Sequence, residues 1–360
     1  MSAYTILTVI GARPQFVKLA AFHQELLMHE DVEHFIVHTG QHYDDNMSNI
    51  FFRELAIPSP NINLGIGGGT HGQNTGRMIE QIEEVLLDVK PSWVVVFGDT
   101  DSTLAAALAA VKLHIPVAHI EAGLRSFNRK MPEEINRILT DHSSDVLFVP
   151  SKGAARNLEK EGIPNDKVRW SGDIMYDVAL MFRERISNSG QGIEKWGATP
   201  QGYVLATIHR AENTDTAEQL SEVMDRLSEV NHKIIFPLHP RTKNALSKFQ
   251  IHLPDNVRAI SPVGYVEMVL LETNALFIIT DSGGVQKEAY FHQVPCITMR
   301  EETEWSELVE HGFNYVVGTN VDKMRKALRE IENRDFLFDQ KFYGDGNAAQ
   351  LIVKALLETP

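Results

Sequence analysis

Short β-branched apolar runs alternate with helix-length amphipathic segments, and this alternation constrains the fold more than any other feature. The runs are Thr5–Ile10, His34–Thr39, Trp93–Phe97, Pro116–Glu121, Asp145–Pro150, Tyr203–His209, Lys233–His239, Leu276–Thr280 and Val294–Thr298. Between them lie helix-length stretches such as Gln73–Val89, Thr100–Leu113, Glu134–His142 and Ala217–Val230. Strands that are apolar throughout and separated by helices must be covered on both faces, which predicts parallel sheets. The stretch ISNSGQGIEKWGATPQGY (Ile186–Tyr203) is rich in Gly and Ser and has no periodicity, and reads as a linker. It divides the chain into domains over 1–186 and 187–345. The expected fold is α/β, with two Rossmann-like doubly wound parallel-sheet domains facing a cleft. Ligands in such sheets bind beyond the carboxyl ends of the strands, so chemistry is sought there.

Composition narrows the partners. A formal net charge of −14 over 360 residues argues against a nucleic-acid surface, which normally needs a basic stripe. One cysteine, Cys296, leaves no intrachain disulfide and no Cys-based zinc site. HEDVEH (His29–His34) spaces its histidines five apart and lacks a third-ligand pattern, so no metal site is expected. The start MSAYTILTVIGARP lacks a basic leader, and no apolar run reaches a membrane span. The expectation is a soluble cytoplasmic protein with no membrane insertion.

The strand ends carry the chemistry. GARPQFVK follows the first run and is neither a Walker A loop nor a dinucleotide turn. Arg13 and Lys18 there can reach an anion at the helix start; alternatively they are two solvated cations. GDTDST places Asp99 at a strand end, with Thr100 or Asp101 as an N-cap. EAGLRSFNRKMPEEINR places Glu121 at a strand tip and Glu133 at a helix start. Capping explains Asp101 and Glu133 without function, but not Glu121. Three carboxylates from neighbouring loops make an acid/base set whose pKa values crowding drives apart.

In the second half HRAEN (His209–Asn213) and HPRT (His239–Thr242) each follow a strand. Asn213 or Thr214 reads as a cap, whereas two His/Arg sets, including His239 and Arg241, point to a diphosphate or carboxylate ligand. TDSGGVQKEA then offers Ser282, Gly283 and Gly284 at a helix start. Consecutive amides there form an anion nest, and Ser282 can cap the helix and donate to a phosphate oxygen. G-x-S-x-G, the mark of a nucleophilic serine, is absent. Glu288, further along the helix, suits a ribose diol.

GARPQFVK, TGQH, GDTDST, HIEAGLRS, PEEINR, HRAEN and TDSGGVQKEA occur in order from 11 to 289. In this the chain resembles the non-hydrolysing UDP-N-acetylglucosamine 2-epimerase family. The resemblance implies two Rossmann-like domains arranged as in GT-B glycosyltransferases, with a C-terminal helix, here 346–360, crossing back to the N-terminal domain. It implies that Arg13 and His209 contact a diphosphate, that Lys18 lies in the active site, and that Asp99, Glu121 and Glu133 are the acidic catalytic group. It assigns Ser282, Gly283 and Gly284 to the phosphate and Glu288 to the ribose. The activity implied is C2 epimerisation of a UDP-2-acetamido sugar, with UDP leaving to give a 2-acetamidoglycal and then adding back. That scheme needs no cofactor, neither NAD nor metal. A homodimer is implied as well, and a role in surface polysaccharide precursor synthesis.

Four segments depart from the commoner branch: TGQHYDDNMS, the shorter LRSFNRKMPEE, Met268 in PVGYVEM, and TEWSELV. They resemble the subgroup acting on UDP-2,3-diacetamido-2,3-dideoxy-glucuronic acid, with UDP-GlcNAc to UDP-ManNAc the competing substrate pair. A GT-B glycosyltransferase, a hydrolysing epimerase releasing free ManNAc, and a catalytically idle sugar-nucleotide binder are the other readings.

Overall fold

The structure is a computed structural model and describes residues 4–40, 52, 55–189 and 192–358, apart from the side chains of Arg13, Asn188 and Ser189. Gln41–Ser48, within the first of the four departing segments, lies outside the described residues. The chain divides into two compact units, one of Met1–Val178 with Lys341–Pro360, the other of Ala179–Gln340. Each holds one parallel sheet.

In unit 1 the elements run β1 (Tyr4–Ile10), α1 (Arg13–Leu26), β2 (Val32–His38), β3 (Ile62–Asn63), α2 (His71–Val89), β4 (Trp93–Phe97), α3 (Asp101–Lys112), β5 (Val117–Ile120), α4 (Pro132–Ser143), β6 (Val146–Val149), α5 (Lys152–Lys160) and β7 (Val168–Trp170). The helix α6 (Ile174–Ser189) carries the chain into unit 2. There follow β8 (Val204–Thr207), α7 (Ala211–Thr214), α8 (Ala217–Ser228), β9 (Ile234–Pro237), α9 (Pro240–Phe249), β10 (Val257–Ile260), α10 (Tyr265–Thr273), β11 (Ile278–Thr280), α11 (Gly283–Phe291), β12 (Cys296–Thr298), α12 (Ser306–Glu310), β13 (Asn314–Val316) and α13 (Val321–Asn333). The chain then returns to unit 1 and ends in α14 (Ala348–Glu358).

The strand orders are β3-β2-β1-β4-β5-β6-β7 and β10-β9-β8-β11-β12-β13, every pairing parallel. Both are doubly wound, since the order reverses direction at β1/β4 and again at β8/β11. Successive residues of β8 feed different cores: Val204 and Ala206 join one apolar cluster, Leu205 another. That two-sided burial is why these strands read as unbroken apolar runs.

The passage between units falls inside α6, between Val178 and Ala179, and not in the Gly/Ser-rich stretch read as a linker. Ile186 lies on α6, while Ile193, Trp196, Ala198 and Tyr203 are buried in a core of unit 2. The spaced apolar residues among the glycines are what hold that stretch down. Among the described residues no helix is long and apolar enough to cross a membrane.

The helix α14 packs on α1 within unit 1. The Tyr4 hydroxyl donates to the Leu356 carbonyl at 2.6 Å, and the Ala349 amide donates to Asp177 Oδ1 at 2.9 Å. Burial pushes the Asp177 carboxyl up to about 6, although three backbone donors oppose it. The fold therefore favours the neutral acid, so its contribution is complete below about pH 4 and is lost as pH rises through about 6. Asp177→Asn keeps an acceptor for Ala349 and removes the charge. We expect it to match the parent near pH 4 and to exceed it by on the order of 2 kcal/mol at pH 8. Urea unfolding of both proteins at the two pH values checks this; an equal difference at both would show that Asp177 does not titrate as stated.

Candidate active site

In unit 1 the reversal of strand order lies between β1 and β4, and a single glutamine ties the two loops there. Gln15 Oε1 accepts the Gly11 and Ala12 amides at 2.7 and 3.0 Å. Its Nε2 donates to the Phe97 carbonyl and to Thr103 Oγ1, both at 3.0 Å. Arg13 opens α1 beside this clamp. Lys18, one turn further, is buried and its ammonium is ion-paired with Glu121.

The backbone is shaped around that pair. Glu121 itself has φ +72, a left-handed conformation that costs a non-glycine residue about 1 kcal/mol. Gly98 has φ +65, and a Cβ built on it would lie 3.2 Å from Glu121 Oε2 and 3.3 Å from Lys18 Nζ. Gly98→Ala is thus strained in its backbone and crowds the pair. We expect at least about a tenfold loss of turnover, as misplacement of reacting groups commonly produces, with the fold retained by circular dichroism. Full turnover in this variant would show that the spacing around Glu121 is not critical.

Beneath Glu121 lies a buried ionic network. Both ring nitrogens of His119 are engaged, by Asp141 Oδ1 and the Gly98 carbonyl, each at 2.7 Å. Asp141 Oδ2 receives the Gly123 amide at 3.1 Å and the Arg125 guanidinium at 2.7 Å. Burial works against ionisation of Asp141, but His119 and Arg125 outweigh it and hold its carboxyl below the usual range. The network fixes the glycines on either side of the β5 tip.

Asp99 follows β4 and accepts from Arg137 Nη2 at 2.5 Å. Burial drives its carboxyl above the usual range, the Arg137 guanidinium opposes this, and Glu121 adds to it. The cap of α3 is Thr100. Asp101 does not cap: its carboxylate meets His71 Nδ1 at 2.7 Å and Asn136 Nδ2 at 3.1 Å. Glu133, the second residue of α4, is half-buried and makes no ion pair or hydrogen bond among the described residues. Its neighbour Glu134 instead ties the preceding loop, accepting the Ser126 and Phe127 amides at 2.9 Å each. Glu134 also meets Arg137 Nη1 at 3.0 Å, which links this loop through Arg137 to Asp99.

In unit 2 the reversal lies between β8 and β11, and the fully buried Asp281 is its tie. Asp281 accepts the His209 amide at 3.0 Å, the Arg210 amide at 2.9 Å and Asn213 Nδ2 at 2.9 Å. Asn213 also donates to the Met299 carbonyl, so the loops after β8, β11 and β12 are held together. This use of Asn213 replaces the capping role read from sequence; Thr216 caps α8, and Thr214 donates to the Arg210 carbonyl.

Ser282 stands at the N-cap of α11, but its hydroxyl makes no capping bond, which corrects the expectation that it would. The Gly283 and Gly284 amides open the helix, where first-turn N–H groups lack intrahelical acceptors. Arg300, which ends the β12 run, lies beside them: a Cβ on Gly283 would be 3.8 Å from its Nη1. Arg300 is buried, donates to Glu304 at 2.9 Å, and its Nε has no partner. The His209 and His239 rings lie 5.3 Å apart. His239 Nδ1 accepts the Arg241 amide at 3.1 Å, whereas the Arg241 guanidinium is engaged by Asp215 and Thr214. A Cβ on Gly284 would lie 4.0 Å from Glu288 Oε2, so this carboxylate reaches back toward the glycines. Met268 packs against the core of unit 2.

Unit 1 thus gathers Lys18, Asp99 and Glu121, with Glu133 entering α4 nearby in sequence. Unit 2 gathers His209, His239, Ser282, Gly283, Gly284 and Glu288. Sequence reasoning passed over Gln15, His119, Asp141, Arg137, Asp281 and Arg300. For Arg300 a signal existed, because the run VPCITMR ends in a cation at a strand tip as the other loops do.

Residues 24–357 match the family model of UDP-N-acetylglucosamine 2-epimerase. A Methanococcus maripaludis protein described as a UDP-N-acetylglucosamine 2-epimerase homolog is 51% identical over 356 residues, covering 98% of this chain and 99% of its own length. The Pseudomonas aeruginosa UDP-2,3-diacetamido-2,3-dideoxy-D-glucuronate 2-epimerase is 49% identical over 356 residues, with the same coverage of each. Among solved structures, the Methanocaldococcus jannaschii UDP-GlcNAc 2-epimerase in complex with UDP-GlcNAc and UDP superposes with a TM-score of 0.87. It is 43% identical, and the match covers 98% of this chain and 99% of that one. The chain belongs to the UDP-N-acetylglucosamine 2-epimerase family, whose members are isomerases.

Proposed function

We propose that this protein epimerises C2 of a UDP-2-acetamido sugar without hydrolysing it. The observation that carries the reading is the division of chemistry between two doubly wound units. An acid set stands at the strand reversal of one, and a glycine-opened helix with histidines and a buried arginine at that of the other. In this reading the Ser282–Gly284 amides, Ser282, Arg300, His209, His239 and Arg241 hold the diphosphate, and Glu288 accepts the ribose hydroxyls.

The bond between C1 and the diphosphate oxygen breaks first, and UDP departs with the electron pair. The resulting oxocarbenium makes the C2 proton acidic enough for a carboxylate to remove it, leaving the 2-acetamidoglycal. A second acid returns a proton to C2 from the opposite face, and the UDP oxygen rejoins C1. Glu121, held against the Lys18 ammonium, is the base in this scheme. Asp99, driven up by burial, is the acid, with Glu133 assisting.

For the sugar we favour UDP-2,3-diacetamido-2,3-dideoxy-glucuronate, with UDP-GlcNAc the competing substrate. The 49% identical Pseudomonas aeruginosa enzyme supports this. So does the loop tied by Glu134: among the described residues, its Arg129 and Lys130 side chains are exposed and carry no ion pair, leaving them available for a sugar carboxylate.

Incubation with each sugar nucleotide in D2O, followed by NMR, is the test. Deuterium at C2 together with the manno epimer is expected, with no free sugar released. Free ManNAc and UDP in equal amounts would indicate a hydrolysing enzyme, and exchange that requires an acceptor a glycosyltransferase. No exchange with either donor would overturn the proposal.

A further inference from the structure

The carbonyl side of the anion loop in unit 2 is held by side chains that the proposed chemistry does not use. Gln286, buried one turn into α11, donates from Nε2 to the Ser282 carbonyl at 3.2 Å. Trp305, buried at the N-cap of α12, donates from its indole Nε1 to the Gly283 carbonyl at 2.8 Å.

The two contacts are locked to each other. Gln286 Oε1 accepts the Thr303 hydroxyl at 2.5 Å and Asn314 Nδ2 at 2.9 Å, which turns its Nε2 to Ser282. Thr303 Oγ1 in turn accepts the Trp305 amide at 3.2 Å. Lys287 Nζ lies 4.5 Å from the centroid of the Trp305 ring, so the indole is held on its face as well as at its edge. Arg300, at the start of the same loop, is buried beside Gly283 with its Nε unpartnered.

Each of those carbonyls shares a planar peptide with the N–H of the next residue. The Ser282 carbonyl goes with the Gly283 N–H, and the Gly283 carbonyl with the Gly284 N–H, two of the donors assigned to the diphosphate. Consecutive glycines have no side chain to fix those planes. A donor on the carbonyl fixes the plane, and it polarises the N–H at the other end, by about 10–30% per bond in a hydrogen-bonded chain. A buried indole N–H needs some acceptor. The one it has here is the carbonyl whose peptide carries the Gly284 N–H.

We propose that Trp305 is a positioning residue for diphosphate recognition, its indole N–H setting the Gly283–Gly284 peptide so that the Gly284 amide meets a phosphate oxygen. The inference rests on the assignment of the Ser282–Gly284 loop to the diphosphate made above. It states what orients that loop, and it gives the tryptophan of TEWSELV an effect on a ligand it does not touch.

The test compares UDP with uridine, by calorimetry and competition, on the full-length protein and three variants. Trp305→Phe removes the indole N–H and keeps an aromatic ring. Benzothienylalanine incorporated at 305 keeps the bicyclic shape and removes the donor alone, and it decides the matter if the phenylalanine variant fails to fold. Ser282→Ala, at a hydroxyl that makes no capping bond, reports whether the diphosphate sits at this loop. The parent is expected to bind UDP about a hundredfold or more tighter than uridine, the scale of two hydrogen bonds to a charged group. Both changes at 305 should weaken UDP about three- to tenfold, the scale of one net hydrogen bond, and leave uridine within about twofold. A purely structural role would weaken both ligands equally and keep the ratio. If Ser282→Ala lowers the ratio and both changes at 305 preserve it, the positioning role of Trp305 is wrong and the diphosphate assignment stands. If Ser282→Ala also preserves it, the diphosphate assignment falls and this inference falls with it.

Discussion

Glu121→Gln is expected to bind UDP within about threefold of the parent and to lose about 10²–10⁴-fold in turnover, the range for a removed general acid or base. The variant is nearly isosteric, so the left-handed turn at position 121 and the buried network under it persist. What disappears is the charge opposite Lys18 and, with it, the base of the scheme proposed above. The diphosphate contacts assigned to unit 2 are untouched, so affinity for UDP separates from turnover. Asp99→Asn should fall comparably, because it removes the acid of the proposed scheme. Initial rates by NMR and UDP titration on both variants check this. Parent-like turnover in Glu121→Gln would remove that residue from the mechanism, and joint loss of turnover and UDP affinity would recast it as a binding group.

Asp281→Ala should cost unit 2 about 3–5 kcal/mol, the scale seen when one member of a buried charged network is deleted. Asp281 has no exposed surface and receives two backbone amides and one side-chain amide, from a loop that follows a different strand. Its removal leaves those donors buried without acceptors, each costing about 1–3 kcal/mol. Because the loops after β8 and β11 are joined through this carboxylate, UDP affinity should fall along with the urea midpoint. A loss below about 1 kcal/mol would mean that water or a neighbouring oxygen replaces the carboxylate.

The central strands of both sheets were legible in the sequence, because burial on both faces writes an unbroken apolar run. Trp93–Phe97 was found to the residue. The four strands passed over, β3, β7, β10 and β13, are the four sheet edges. Their burial is incomplete, as in the half-buried and exposed Val168–Trp170, so half-solvated residues dilute the signal. The linker was misjudged for a related reason: glycines at 190, 192, 197 and 202 suggest disorder, but burial depends on the apolar residues spaced between them.

The candidate site follows a similar division. Residues at strand tips, such as Asp99, Glu121, His209 and Ser282, could be found from position alone. Their supports could not. Gln15 is an unremarkable glutamine until its amide is seen joining two loops, and Asp281 looks like a flank of the serine that follows it. Hydrogen bonding between loops far apart in sequence leaves no local pattern, whereas a residue placed directly after a strand does.

The double passage of the chain, at Val178/Ala179 and at Gln340/Lys341, has a consequence for the order in which the protein is made. Domains usually complete in order as they leave the ribosome. Here the unit begun first is finished last, because α14 is translated after all of residues 179–340. Until it arrives, the α1 surface that receives it and the buried Asp177 carboxylate stand open to solvent. The nascent acid-bearing unit therefore waits through the whole synthesis of its neighbour with an apolar face uncovered, an interval in which a chaperone would find it.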